Sequence, residues 1–488
     1  MKKNDLTSRF SRTFKDSSVY AISSILNSAI SFLLLPILTF YYDAAEYGIY
    51  SIIISIVVIM GGFFYFGASS SYARFVYDNL SKEHKSTVFS QTLNLALFGG
   101  LVMISLIIIC GDFVSNYLFE TSNYHIHFIA ASVATVLGFF VAILHVVFQF
   151  DKSPRKLLII SFIAIISNFI VTYLLLVYYN YGILAPIIGI LISNLIVTIF
   201  LLINYFNLYN PLVKMYRFSN FLKFGFHSSI SGILFYLIDY SDRLMINQIL
   251  SADEVGIYSL GYKLGLIINI ILVIPFSQAW APVKMEYLND IRQYEFTTKI
   301  ISYYFLLGVI IVFISTLFGT HIFDIFFVNK DFNGYAKVFP IIMSSIFIYG
   351  IINISNIGLH KEEKINYQNF IMLIALLINI ILNISYLEQY GILLAAFSTL
   401  ITYSFIALFV TTLSNKYLNV TIEKYRVFSL LILLFLLLVI NSFTEFFFYI
   451  SIIQKMIICI LFFLIIYIFW VNIHEKKIIK KLILQKLR

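Results

Sequence analysis

Stretch after stretch of this chain is apolar for some twenty residues, with only short polar breaks between. A bilayer offers no water to a bare backbone. A segment that crosses it must close its own hydrogen bonds, and a helix does so in about 20 residues. Fourteen stretches have that length, near 18–41, 47–69, 88–110, 127–149, 157–178, 183–206, 222–248, 255–279, 300–320, 336–357, 366–387, 391–413, 427–444 and 451–473. They predict an all-α polytopic membrane protein of about 14 transmembrane helices. Charged residues make up 12% of the chain against 60% hydrophobic, where a soluble domain carries about 25% charged residues. Met1-Lys2-Lys3 resembles the start of a signal peptide. The apolar stretch after Val19 is too long for one and lacks a small-residue cleavage pattern, so it reads as a retained first span.

A repetition organises these spans. Glu46-Tyr47-Gly48-Ile49-Tyr50-Ser51-Ile52 returns 208 residues later as Glu254-Val255-Gly256-Ile257-Tyr258-Ser259-Leu260. Tyr181-Gly182-Ile183-Leu184 returns 209 residues later as Tyr390-Gly391-Ile392-Leu393, and Lys152 and Arg155 return as Lys361 and Lys364. Echoes at one offset predict a duplicated unit. Each copy holds six spans, an even number, so both insert the same way round. The expected architecture is two parallel six-helix lobes about a pseudo-two-fold axis along the membrane normal, plus a C-terminal helix pair. The N-lobe is 1–206, a cytoplasmic linker 207–221, the C-lobe 222–413, and 414–488 holds the last two spans and a basic tail. Paired membrane halves are the usual frame of a transporter.

The net charge of +9 is distributed by topology. With the N-terminus in the cytoplasm, all Lys and Arg fall on cytoplasmic segments except Arg243, Lys263, Lys330, Lys337 and Lys455. Both termini are expected in the cytoplasm of a bacterial inner-membrane protein. Basic residues in short loops serve orientation and anionic headgroups, and no basic face with interleaved aromatics lies outside the spans to suit nucleic acid. Cys110 and Cys459 sit in apolar runs and suggest neither a disulfide framework nor a metal site. No Walker A, His-Glu-x-x-His or Gly-x-Ser-x-Gly pattern occurs, and no loop has room for a folded extramembrane domain. Enzyme chemistry and a cofactor are therefore not expected.

Polar residues inside the spans mark the candidate site. Asp239, Asp242 and Arg243 interrupt span 7. A mid-span charge costs about 2.5–3.5 kcal/mol on insertion scales, so such groups face protein or a watery cavity. Asp239 and Arg243 are four apart and can pair along the helix, which is a structural role as well as a functional one. Lys263 in span 8 lies at a depth similar to Arg243, with Tyr258 and Tyr262 at helical spacing beside it; snorkelling to the interface is its plainer reading. Span 1 carries Ser24, Asn27, Ser28 and Ser31 on one face, a stripe that suits helix packing and, as the counterpart of span 7, a cavity wall. Arg74 ends span 2 as a positive-inside anchor or as a cation at the cytoplasmic mouth. His145 and His227 read as packing residues.

Asp242-Arg243-Leu244-Met245-Ile246, Glu254-Val255-Gly256-Ile257-Tyr258-Ser259, Tyr262-Lys263-Leu264 and Gln278-Ala279-Trp280-Ala281-Pro282 resemble the central region of bacterial polysaccharide-biosynthesis flippases. These are the O-antigen-type members of the multidrug/oligosaccharidyl-lipid/polysaccharide exporter superfamily. The resemblance implies a flippase for undecaprenyl-diphosphate-linked oligosaccharide repeat units, working by ion-coupled alternating access in lipopolysaccharide or other surface-polysaccharide synthesis. It implies a lipid-linked oligosaccharide, a proton or sodium ion, membrane lipids and a polysaccharide polymerase as partners. On that reading Arg243, Lys263 and Arg74 contact the diphosphate, Asp239 and Asp242 couple the ion, and Ser24, Asn27, Ser28, Ser31, Tyr258 and Tyr262 line the cavity. A lipid II flippase or a multidrug exporter of the same superfamily is the nearest alternative, and a membrane-embedded glycan polymerase or ligase is an alternative of another class.

Overall fold

A computed structural model describes residues 32–79, 81–151, 154–278, 280, 292–326, 330–362, 364–418, 423–443 and 452–470. The protein is an all-α polytopic membrane protein, and the described residues contain no strand. The helices are α1 (Leu35–Tyr41), α2 (Ala44–Phe64), α3 (Ala68–Phe75), α4 (Lys82–Phe119), α5 (His125–Phe150), α6 (Pro154–Val177) and α7 (Leu184–Tyr205). They continue as α8 (Phe218–Ile249), α9 (Ala252–Gly265), α10 (Arg292–Phe326), α11 (Tyr335–Gly350), α12 (Ile365–Tyr390), α13 (Ile392–Leu418), α14 (Lys424–Phe443) and α15 (Ile452–Ile465). Among the described residues, 11 helical stretches are long and apolar enough to cross a membrane, and Tyr425–Asn441 and Ile452–Ile468 are shorter apolar helices. Most of the expected first span lies outside the described residues; its end forms α1.

Contacts group the described residues up to 280 with 330–418 into one compact unit, and 292–326 with those beyond 418 into another. The second unit contains α10, α14 and α15, with Phe313 stacked on Phe462 at 3.7 Å between ring centroids. Everything that follows concerns the first unit.

The repeated sequence has a packing reason. Asp43 and Ser251, 208 apart, each cap a helix, accepting from the Glu46 amide at 2.7 Å and from the Glu254 amide at 3.2 Å. The helices they start, α2 and α9, lie against each other. A Cβ on Gly48 would stand 1.9 Å from the Ala252 carbonyl oxygen, and a Cβ on Gly256 would stand 1.9 Å from that of Ala44. The contact is reciprocal, each copy's glycine meeting the other copy's first helical residue, as a two-fold relation requires. Small residues let the backbones approach this closely.

Two breaks shape the bundle. The expected span 47–69 is interrupted at Tyr65–Gly67, where Phe66 and Gly67 take φ of 52° and 62°. There the backbone meets α8: a Cβ on Gly67 would stand 2.0 Å from the Gly225 carbonyl oxygen. Beyond α9 the turn Asn269–Val273 widens to π geometry just before Pro275, whose ring would strike the carbonyl four residues back in a regular helix.

The segment between the repeats is fastened to α4. Ser86 and Ser90 donate to the Leu208 carbonyl at 2.6 and 3.2 Å, and Asn94 to that of Pro211 at 3.1 Å. The Asn210 and Tyr216 amides donate to Ser90 and Gln91, both at 2.9 Å. Ser86, Ser90 and Asn94 recur every four residues, one stripe along the helix.

Candidate functional site

Asp239, Asp242 and Arg243 lie one turn apart on a single face of α8, at 8%, 0% and 6% exposure. That face turns into protein. Four helices supply its surroundings: α8 itself, α9, α12 and α13.

Asp242 has a complete shell of neutral donors. Tyr258 of α9 and Thr399 of α13 donate hydroxyls to Oδ2, each at 2.7 Å, and Asn383 of α12 donates its amide to Oδ1 at 3.0 Å. The shell is itself held. Asn383 also donates to Asn379 at 3.2 Å, Ser398 donates to Asn383 at 3.2 Å, and Asn379 donates to Ser398 at 3.3 Å. Asn379, Asn383, Ser398 and Thr399 are fully buried. A buried carboxylate persists only when its lone pairs are met, and a network whose members are all satisfied also fixes their positions.

Asp239 is met by tyrosines. Its Oδ1 accepts from the hydroxyl of Tyr262 and, at 3.4 Å, from that of Tyr403. The expected pairing with Arg243 takes a different form. The guanidinium Nη1 donates to the Asp239 main-chain carbonyl at 2.6 Å and makes no hydrogen bond to either carboxylate. It sits instead in an aromatic cage, with Cζ 4.6 Å from the Tyr262 ring centroid, 5.0 Å from Tyr240 and 5.9 Å from Tyr258. The reason lies in two of the tyrosines: Tyr258 and Tyr262 each turn a hydroxyl to an acid and a face to the cation, so their rings satisfy acid and base at once.

Lys263 is half-buried and has no hydrogen-bond partner among the described residues. It follows directly on Tyr262, whose ring lies 4.6 Å from Cζ of Arg243, and Arg243 commits one of its donors to protein.

The structure thus brings together Asp239, Asp242, Arg243, Lys263, Tyr258 and Tyr262. It places Arg74 elsewhere, at the end of α3, exposed and paired with Asp78 at 3.0 Å. Ser24, Asn27, Ser28 and Ser31 lie outside the described residues. His227 is exposed, its Nε2 2.5 Å from the Asn366 side-chain oxygen. The sequence reading overlooked Asn379, Asn383, Ser398, Thr399 and Tyr403. Their signal was present: Asn379 and Asn383 recur at i, i+4 in an apolar span, the pattern that singled out Ser24 and Ser28. Among the described residues no group of three or more His, Cys, Asp or Glu is placed to hold a metal ion.

Known proteins share this architecture. The lipid II flippase MurJ, in an inward closed conformation, is similar with a TM-score of 0.71 at 20% identity, over 93% of this chain and 99% of that one. An inward-facing multidrug resistance transporter of the MATE family, in the MOP superfamily, gives 0.64 at 11% identity, over 80% and 94%. At such identities the likeness is one of fold. Protein 1 of the Lsg locus of Haemophilus influenzae is 26% identical over 272 residues, 53% of this chain. That alignment spans 63% of the relative, less than two thirds of its length. Residues 13–288 match the family described as polysaccharide biosynthesis protein, and that segment carries the capped repeat, α8 with its three charges, and α9 with its tyrosines and lysine. With more than half of its length matched, the chain belongs to the polysaccharide biosynthesis protein family.

Proposed function

We propose that the protein is a flippase that carries undecaprenyl-diphosphate-linked oligosaccharide repeat units across the bacterial cytoplasmic membrane by alternating access of two parallel lobes. The observation that supports this reading is the buried Arg243 guanidinium, caged by Tyr262, the residue that directly precedes Lys263. Among the described residues neither cation has a hydrogen bond to a carboxylate. A diphosphate is their complement: it answers both charges, and its oxygens suit the planar donors of a guanidinium whose orientation the three rings already fix. The sugar passes with the head while the prenyl tail stays in lipid.

Asp239 and Asp242 are the candidates for ion coupling. Each is tied by hydroxyls or amides to other helices, Asp242 to α9, α12 and α13. A proton or sodium ion arriving there rearranges those bonds, and with them the helices that carry Tyr258, Tyr262 and Lys263. Both termini on the cytoplasmic side and Arg74 at the cytoplasmic mouth complete the reading.

The test is made in cells deleted for the gene and complemented with variants. Arg243→Ala and Lys263→Ala are expected to insert normally, abolish surface glycan and accumulate its lipid-linked repeat unit in the inner leaflet. Wild-type surface glycan from both variants would remove the headgroup reading. Asp239→Asn and Asp242→Asn are expected to keep substrate binding but lose the dependence of transport on the ion gradient. Dependence that persists in both would remove the coupling reading alone.

A further inference from the structure

A second polar site lies inside the first repeat, with no residue in common with the acid–base cluster of α8. It is a cavity of about 210 Å³ lined by His145 of α5, Ser161 and Asn168 of α6, and Ser193 and Asn194 of α7, with apolar neighbours. The His145 imidazole has no hydrogen-bond partner among the described residues. His145 is half-buried and lines this cavity, and an ionisable group that faces a cavity within a membrane span is by default a candidate functional site.

The neighbours show what the ring is suited to hold. Ser193 donates its hydroxyl to the Ala164 carbonyl at 2.8 Å, and Asn194 donates its amide to the Ala134 carbonyl at 2.9 Å. A carbonyl oxygen only accepts, so the Asn194 amide is fixed with its NH₂ toward Ala134 and its own oxygen directed elsewhere. Asn168 takes the Thr172 hydroxyl at 3.1 Å. That pair is pressed against Gly189, where a Cβ would stand 2.1 Å from the Thr172 oxygen and 2.6 Å from that of Asn168. Ser193 and Asn194 have thus spent protons on helix carbonyls and keep lone pairs. A neutral imidazole needs one donor and one acceptor, and the Asn168 amide, whose oxygen is taken by Thr172, keeps N–H groups to give it; an imidazolium offers two N–H groups and a charge, which the lone pairs of Ser193 and Asn194 satisfy, so the lining serves both states of the ring.

The titratable groups around α5 leave the ring to these partners. No other lining residue of the cavity titrates. On α5 and its sequence neighbours, Asp151 is bonded to Tyr205 of α7 at 2.7 Å, and Arg155 and Lys156 open α6. Tyr65, next to α2, and Tyr72 of α3 pack on Phe139 and Phe150 of α5. Asp112 of α4 pairs with His125 at the far end of the helix.

We propose that His145 is a proton-binding site in the first repeat, distinct from the Asp239–Asp242 cluster, whose conjugate acid is held by the oxygens of Ser193 and Asn194. Protonation places one positive charge between α5, α6 and α7 and closes these helices on it; loss of the proton releases them. A proton bound in the first repeat and an ion bound in the second give each half of the duplication its own input.

Histidine Cε1 resonances of the full-length protein in lipid nanodiscs test this directly. The His145 signal is identified by its loss in His145→Gln, or in His145→Phe should the glutamine variant fail to insert. It is expected to titrate with a midpoint between about pH 5 and 8. In Asn194→Leu, which removes one acceptor, the midpoint is expected at lower pH. A His145 signal that keeps its neutral position down to about pH 4.5 while exposed histidines titrate would overturn the proposal. A midpoint identical in wild type and Asn194→Leu would overturn the assignment of Asn194 as the partner of the charged ring.

Discussion

At the scale of single residues, the site rests on tyrosines with two jobs. Tyr262 donates to Asp239 while its ring faces Arg243, and Tyr258 does the same for Asp242. Replacement by phenylalanine separates the two jobs, because the ring stays and the hydroxyl goes. A hydrogen bond to a charged partner contributes about 1.5–3 kcal/mol, so Tyr258→Phe is expected to lower the stability of the purified protein by that order, read as a fall in melting temperature. The cost should shrink in the Asp242→Asn background, since the amide needs the hydroxyl less; equal costs in both backgrounds would show that the charge of Asp242 adds nothing to the bond. The three charges were legible in the sequence because a charge in an apolar run is conspicuous. Tyr258 and Tyr262 were legible by their spacing. Asn383 left only its i, i+4 spacing from Asn379, and Thr399 left no mark, because a single uncharged polar residue disturbs hydropathy too little to stand out. Their role appears only when α12 and α13 are laid beside α8. A spacing of four allows Arg243 to reach Asp239, and it does so at the carbonyl; the rings of Tyr258 and Tyr262, which come from another helix, are invisible to that spacing.

At the scale of helices, the repeat is a pair of surfaces cut to fit. Gly48→Ala and Gly256→Ala each drive a methyl group into a carbonyl oxygen, and each is expected to cost about 1–3 kcal/mol, seen as poor yield and early melting. Gly232→Ala on α8 is the contrast: nothing among the described residues lies within 4 Å of its Cβ, and alanine there should stabilise the helix by about 0.5–1 kcal/mol. Equal effects at all three positions would refute the close approach. The segment 207–216 offers a second prediction. Its ties to Ser86, Ser90, Gln91 and Asn94 should protect its amides from hydrogen exchange, and Ser90→Ala with Asn94→Ala should remove that protection while α4 stays protected. The position of this segment was readable as the gap between the two repeats, but its fastening was not, since the serines that hold it lie over a hundred residues earlier. Likewise the break at Tyr65–Gly67 follows from a neighbour, Gly225, and not from the apolar run that contains it.

At the scale of the whole molecule, membrane class and helical architecture were read from hydropathy alone, because the bilayer permits so few alternatives. The family rests on a match over residues 13–288, and the carriage of a lipid-linked glycan is the function we propose for it. The central claim is that Arg243 and Lys263 together receive the anionic head. Its most direct measurement is the flipping of undecaprenyl-diphosphate-linked oligosaccharide by the purified full-length protein in proteoliposomes, wild type against Arg243→Ala, Lys263→Ala and the double variant. Loss of a charge-assisted contact of about 1.5–3 kcal/mol predicts a drop of roughly 10- to 100-fold for each single variant, measured at equal amounts of folded, reconstituted protein. Wild-type rates from the double variant in the same vesicles would contradict the account.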